Sequence, residues 1–311
     1  MTSIGGQAVI EGVMMRGPHK IVTAVRKPDG EIVLDEKEVK GKSKVSKFPI
    51  IRGVVSFFSS MVIGVQSLMF SAKFFDIEEE ETSAKENKNK EKIKKEDAKV
   101  AENGMPEWAL YLSVALSLCL SIGLFIVLPN VISEFVVPNK EENTIIYNLV
   151  ESIVKIIIFG GYLVLVSQMK DIQRVFEYHG AEHKSIFCYE NGEELTVENV
   201  KKYSRFHPRC GTSFLLFVII ISILVFSVLG VHENAFINIG LRLLFLPIVA
   251  GISYEIIKFA GKSKSKWVTW LNAPGKWLQK LTTREPDDSQ IEVAIASLKA
   301  VIPENGVDDR W

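Results

Sequence analysis

No charged residue interrupts the stretch from Trp108 to Leu128, WALYLSVALSLCLSIGLFIVL. A helix of this length crosses the hydrocarbon core of a bilayer, for which about 20 apolar residues suffice. The stretch from Thr212 to Val231 has the same character. Those from Ile145 to Val166 and from Ala235 to Ile257 are also long and apolar, although each contains ionisable residues. The sequence therefore predicts four membrane spans and a partner in the lipid bilayer.

A further apolar run extends from Val54 to Phe75. Its small and polar residues recur every three or four positions and form a stripe on one helix face: Ser56, Ser60, Gly64, Ser67 and Ser71. Such a stripe allows close helix packing in lipid, and the run is compatible with a spanning, a re-entrant or an interfacial helix. A basic cluster precedes it, namely Lys40, Lys42, Lys44, Lys47 and Arg52. This cluster favours the re-entrant arrangement.

The distribution of Lys and Arg predicts the orientation in the membrane. The loop 167–211 and the segment after Ile257 are rich in basic residues, whereas the connections 130–143 and 231–234 hold one Lys and none. Basic loops stay on the cytosolic side. We therefore expect the loop 167–211 and the C-terminus to face the cytosol.

The fold class that follows is mainly α, a polytopic helical membrane protein with a small cytosolic β element near the N-terminus. Pro28-Asp29-Gly30 is a turn signal between two short apolar segments. The expected organisation begins with a cytosolic glycine-rich β-hairpin region at 1–47 and a re-entrant, interfacial or spanning helix at 48–75. A charged flexible linker follows at 76–105, and then a four-span membrane region at 106–261 that includes the cytosolic loop 167–211. Cytosolic or interfacial amphipathic helices are expected at 262–311.

Composition narrows the class of protein. The 37 basic residues balance the 37 acidic ones, which gives no case for a nucleic-acid partner. Three cysteines, Cys119, Cys188 and Cys210, provide no disulfide framework.

The segment EYHGAEHK, residues 177–184, carries the most specific chemistry. His179 and His183 are four residues apart and so lie on one helix face, where both imidazoles reach one metal ion. Glu182 precedes the second histidine, in the order found in inverted zinc peptidases, whose glutamate activates water. Asn191-Gly192 is a plausible stop for the helix. We expect a metal at the two histidines, with Glu182 as the catalytic base.

A second group of candidate ligands lies farther along the chain. His207 and Cys210 have the spacing of a zinc half-site, and Glu255 near the cytosolic end of the last span is a candidate for a further ligand. Imidazole and thiolate favour zinc, although another divalent metal is possible. Cys210 has two other interpretations, a reactive thiolate with His207 as its base and a buried packing residue.

Four blocks of sequence resemble the YqhQ family of bacterial membrane proteins of unknown function. They are GGQAVIEGVMMRGP at 5–18, YHGAEHK at 178–184, HPRCGT at 207–212 and LTTREPDD at 281–288. The blocks extend over nearly the whole chain. The resemblance implies residence in the bacterial cytoplasmic membrane and a suspected metal, without a known substrate, and it implies nothing for the linker.

Three functions are compatible with these features. The leading hypothesis is a zinc-dependent hydrolase or peptidase at the cytosolic membrane surface, with a membrane protein or peptide as a possible substrate. The second is a nonenzymatic scaffold or assembly factor in which a fully ligated metal is structural. The third is a transporter, suggested by ionisable residues within spans, namely Glu151, Lys155, Arg242 and Glu255.

Overall fold

A computed structural model describes residues 2, 4–39, 48–75, 107–207, 210–232, 234–262 and 275–303. The chain forms two compact units. The first combines Met1–Ala72, Gly161–Val225 and Leu244–Trp311, and the second combines Lys73–Gly160 with Phe226–Leu243. The charged linker expected at 76–105 lies outside the described residues.

A four-stranded antiparallel sheet lies near the N-terminus. Its strands are β1 (Gly5–Val9), β2 (Gly12–Arg16), β3 (Lys20–Arg26) and β4 (Ile32–Glu38), and they pair in chain order. Gly30, in the turn between β3 and β4, has φ +89°, a conformation that glycine adopts without strain. The structure thus confirms the small β element and extends the expected hairpin to a meander.

The rest of the described chain is mainly helical. The helices are α1 (Ile51–Ala72), α2 (Glu107–Ile122), α3 (Leu128–Val136), α4 (Thr144–Val166), α5 (Lys170–Glu190), α6 (Val197–Lys201), α7 (Gly211–Leu229), α8 (Ala235–Lys262), α9 (275–282) and α10 (Asp288–Val301). A π-helical turn, Gly123–Val127, joins α2 directly to α3. Together with the sheet, these helices confirm the mainly α membrane-protein fold.

Four described helices are long and apolar enough to cross a membrane: Ile51–Ala72, Ala115–Val136, Thr144–Val166 and Ala235–Phe259. The apolar helix α7 corresponds to the span expected from Thr212 to Val231. The end expected at Leu128 is too early, because the helix continues to Val136. Pro129 closely follows the π-helical turn within this continuous helix, and its ring nitrogen has no N–H to donate to the preceding turn.

The core of the first unit joins segments that are far apart in sequence. Val13 and Val22 of the sheet pack with Tyr178 of α5 and with Ile291 and Leu298 of α10, and all five are fully buried. Burial of this apolar surface is the main force that holds the three segments together. The C-terminal helix α10 therefore docks on the N-terminal sheet.

Helix α1 packs on the opposite face of the same sheet. Side chains alternate along a strand, so Thr23 points away from the core that contains Val22, and its hydroxyl donates to Ser67 over 3.0 Å. The buried residues of α1 are all small: Gly53, Gly64, Ser67 and Ser71. Of the small stripe recognised in the sequence, Gly64, Ser67 and Ser71 are therefore buried against protein, whereas Ser56 is half-buried and Ser60 is exposed.

The second unit contains a buried ion cluster. Arg242 donates two hydrogen bonds to the carboxylate of Glu151, and Lys155 lies 2.7 Å from the same carboxylate. Glu151 and Arg242 are 2% and 4% exposed. Buried charges are stable only when paired, so this arrangement gives the two basic residues a structural role beside Glu151.

Candidate metal centre

Helix α5 carries both histidines of the central motif. It ends at Glu190, and Gly192 beyond it has φ +73°, as the Asn191-Gly192 stop signal predicted. The imidazole rings of His179 and His183 lie 4.4 Å apart between centroids. Helical spacing alone therefore places two nitrogen ligands side by side.

Cys210 completes a group of three. The chain leaves α5, forms α6 with Thr196 as its N-cap, and returns so that the Cys210 sulfur lies 3.2 Å from Nε2 of His179. One ligand atom from each of His179, His183 and Cys210 lies within 4.8 Å of the other two. Separations of this size allow three side chains to share one metal ion.

Backbone carbonyls fix the orientation of both imidazoles. Nδ1 of His179 lies 2.8 Å from the carbonyl of Thr282, and Nδ1 of His183 lies 2.5 Å from that of Arg205. Because a carbonyl only accepts hydrogen bonds, each Nδ1 carries the proton and each neutral ring keeps its lone pair on Nε2. Metal-binding histidines are commonly held in this way.

Glu182 lies beside the three candidate ligands. Its carboxylate is 3.9 Å from Nε2 of His179, the residue is 5% exposed, and the backbone N–H of Gly6 donates to it. Burial raises the pKa of the Glu182 carboxyl, against the opposing effects of His179 and the Gly6 hydrogen bond. The site thus contains a carboxyl group in addition to three metal-binding groups.

Strand β1 forms one wall of the site. A Cβ atom on Gly6 would lie 2.6 Å from the Met14 carbonyl and 3.0 Å from the Glu182 carboxyl carbon, so a larger residue cannot fit without a shift. The cavity beside this wall is partly open and has a volume of about 420 Å³. Its lining includes β1 residues Ile4 to Ala8 and the side chains of His179, Glu182, His183, His207 and Cys210.

An ion pair attaches the β1–β2 hairpin to α5. Arg174 donates two hydrogen bonds to Glu11, and the Tyr178 hydroxyl donates a third over 3.1 Å. Glu11 has φ +48°, an uncommon conformation for a residue with a side chain. These contacts hold the glycine-rich segment against the histidine helix, and the sequence pattern did not reveal them.

The structure places the remaining candidate ligands differently. His207 lines the cavity, 5.6 Å from His183 between ring centroids, and its Nε2 is 3.7 Å from Glu190. The Glu255 carboxylate instead accepts two hydrogen bonds from Arg52. His207 therefore adjoins the three-ligand group, whereas Glu255 is engaged elsewhere.

Residues near the C-terminus support the site in a way that the motifs did not predict. Gln279 accepts from the His207 backbone N–H and donates to the His207 carbonyl, at 2.8 Å and 2.7 Å. The Arg284 carbonyl lies where a Cβ on residue 180 would be, so Gly180 lets this segment cross α5. Arg284 belongs to the sequence block 281–288, and this block was the signal that could have identified the crossing segment as part of the site.

The donor set fits a transition metal. Imidazole and thiolate are ligands that zinc prefers, and the Nδ1 contacts leave the Nε2 atoms of His179 and His183 available to a metal ion. Three ligands of this kind also leave room for a further ligand in tetrahedral geometry. The three residues could thus hold a metal ion next to the buried carboxyl group of Glu182.

Comparisons with known proteins find similarity over most of the chain. Residues 48–304 match the family model described as "Protein of unknown function (DUF1385)". The chain is also 37% identical over 306 residues to the "Uncharacterized protein YqhQ" of Bacillus subtilis (strain 168), an alignment that covers 96% of this chain and 92% of that protein. No solved structure matches the chain.

Proposed function

We propose that this chain, which belongs to the DUF1385 family of proteins of unknown function, is a metal-dependent membrane enzyme. It would hydrolyse its substrate at the cytosolic surface of the bacterial cytoplasmic membrane. The observation that carries the proposal is the convergence of His179, His183 and Cys210 on a cavity that Glu182 also lines. Catalytic zinc sites typically have three protein ligands and one open position.

The chain's own groups have distinct parts in the proposed reaction. Bound zinc supplies Lewis acidity, which activates water and polarises a carbonyl. Glu182 would take one proton from the attacking water and transfer it to the leaving group, while the hydroxyl joins the acyl carbon. Thr282 and Arg205 hold the imidazoles through their carbonyls. A peptide bond of a membrane or nascent protein is the substrate suggested by the motif.

Metal content tests the site directly. Wild-type protein, purified in detergent without chelator, should contain about one equivalent of zinc, and the double variant His179→Ala, His183→Ala should contain none, because removing two of three ligands abolishes high affinity. The exposed histidines His19 and His232 provide matched control substitutions to Ala. Wild type that contains no transition metal by mass spectrometry would overturn the proposal.

A structural metal is the second candidate. It is favoured by the short distance of 3.9 Å between Glu182 and Nε2 of His179, which would allow the carboxylate to become a fourth ligand and close the site. The protein would then be a membrane scaffold whose metal joins α5 to the chain before α7.

One variant separates the two candidates. If Glu182 is a base, Glu182→Gln keeps the zinc, and X-ray absorption shows the same two nitrogens, one sulfur and one oxygen as in wild type. If Glu182 is the fourth ligand, the substitution removes a carboxylate ligand. Zinc affinity should then fall by at least about tenfold, as for other losses around a metal.

A further inference from the structure

We infer that α1 is not a transmembrane helix, and that it lies in the plane of the membrane surface with one face in the lipid. This inference concerns the partner of α1 and is independent of any metal. It starts from the composition of the two faces. The buried residues of α1 are Gly53, Gly64, Ser67 and Ser71. Gly53 approaches Gly251 of α8, Gly64 approaches Gln7 of the sheet, and the Thr23 hydroxyl donates to Ser67.

The other face of α1 is large, apolar and exposed. Seven side chains on it are between 43% and 56% exposed: Val55, Phe58, Met61, Val62, Val65, Leu68 and Met69. Their i, i+3 and i+4 spacing makes a continuous stripe along the helix. A soluble protein rarely exposes so large an apolar surface without a partner.

The number of membrane crossings excludes a spanning α1. The sheet, α5 and α10 share one buried core and therefore lie on the same side of the membrane. Between the sheet and α5 the described residues form α1, the continuous helix of α2 and α3, and α4. Two crossings return the chain to its starting side, whereas three would leave α5 on the opposite side from the sheet.

The α3 and α4 helices account for the two crossings. They are joined by a short connection, and the hydroxyl of Tyr147 in α4 donates to the carbonyl of Asn130 in α3 over 3.2 Å. Both belong to segments that are long and apolar enough to span. The pair forms a helical hairpin that crosses and returns, so α1 contributes no crossing.

Contacts of α1 place it at the membrane surface and identify lipid as its partner. A Cβ on Gly53 would lie 2.7 Å from the Gly251 carbonyl, and Arg52 pairs with Glu255, so the start of α1 is attached to α8, a span. Along the same helix, Gly64 contacts Gln7 of the sheet. Because one face is occupied by protein and the helix adjoins a span, acyl chains of one leaflet cover the exposed face.

The position of α1 bears on access to the cavity. Gln7 lines the cavity, and its side-chain amide contacts α1 at Gly64. An in-plane α1 therefore brings the β1 wall of the cavity to the level of the lipid headgroups. A membrane-embedded substrate would reach the site along this surface.

Topology reporters in the full-length protein test the crossing. One reporter is placed at the N-terminus and one is inserted after Lys90, between α1 and α2 in sequence. We expect both reporters on the same side of the membrane, because α1 does not cross. Reporters on opposite sides would overturn the inference.

Photolabelling tests the lipid contact. The protein is reconstituted in phosphatidylcholine and phosphatidylglycerol vesicles with a lipid that carries a diazirine on its acyl chain. Peptide mapping should find label on Phe58, Val62 and Val65 and none on Ser67 or Ser71, which serve as internal controls on the same helix. Absence of label from the whole of α1, or equal label on both faces, would contradict the inference.

Discussion

Gln279 shows how a single side chain can hold a segment of the site. It is fully buried, 72 positions from His207 in sequence, and its amide bonds both the N–H and the carbonyl of that residue. The Gln279 amide thus makes the two backbone hydrogen bonds that a neighbouring β-strand would otherwise make with His207. It fixes the segment that leads to Cys210.

Replacement of Gln279 by Leu should destabilise the protein by about 2–4 kcal/mol, since each buried backbone group left without a partner costs about 1–3 kcal/mol. The measurement is denaturant unfolding in detergent, together with zinc content. Lys280→Leu is the matched control, because Lys280 is exposed and surface substitutions usually change stability by no more than about 0.5 kcal/mol. Equal stability of the two variants would show that Gln279 does not support His207.

Local patterns predicted some site residues and could not predict others. The relation of His179, Glu182 and His183 follows from helical spacing, which depends only on neighbouring residues. Glu255 resembled a ligand, but its partner Arg52 is 203 positions away and no sequence period connects them. Gln279 was missed for the same reason.

At the scale of elements, the crossing of α5 by the segment that follows α9 depends on Gly180. The Arg284 carbonyl occupies the space of a Cβ at position 180, and the Arg284 N–H donates to Phe176 over 2.9 Å. Two residues earlier, the Thr282 carbonyl holds His179. The packing of these two elements therefore sets the orientation of one candidate ligand.

Gly180→Ala should displace the crossing segment and cost about 1–3 kcal/mol, as overpacking does in other close contacts. The zinc affinity should also decrease, because His179 loses its carbonyl partner. Gly161→Ala is the control, since a Cβ there meets nothing within 4 Å, and helix propensity predicts a gain of up to about 1 kcal/mol. Thermal unfolding and zinc titration of both variants measure the difference, and a stable, zinc-replete Gly180→Ala protein would contradict the crossing.

Element types were easier to predict than their partners. The apolar runs predicted α4 and α8 nearly to their ends. The stripe of small residues on α1 was also visible, but it suggested contact with another helix in lipid. Gly64 and Ser67 contact the sheet, which no periodicity within α1 could reveal. A close helix contact exists as well, between Gly53 and Gly251 of α8.

For the whole molecule, the first unit is closed by its last helix. α10 contributes Ile291 and Leu298 to the core shared with β2, β3 and α5, and the Ser297 hydroxyl donates to the Val22 carbonyl over 2.9 Å. This hydrogen bond joins positions that are 275 residues apart. No smaller part of the unit contains the complete core.

A chain truncated after residue 286 should insert its spans but fail to form this core. We expect rapid cleavage within the sheet and α5 in limited proteolysis, because their apolar faces lose the surface that buries them. Zinc should be lost as well. A chain that ends at residue 303 and keeps α10 is the control and should resist proteolysis. Equal resistance of both chains would show that the core closes without α10.

The late position of α10 has a consequence for biosynthesis. The ribosome delivers the sheet first, α5 after two crossings, and α10 only when every span has been made. Because the core needs all three segments, the candidate site can mature only after α10 has been made. The nascent protein would thus complete its insertion before its metal chemistry could begin, and the ion would be acquired by an already inserted chain.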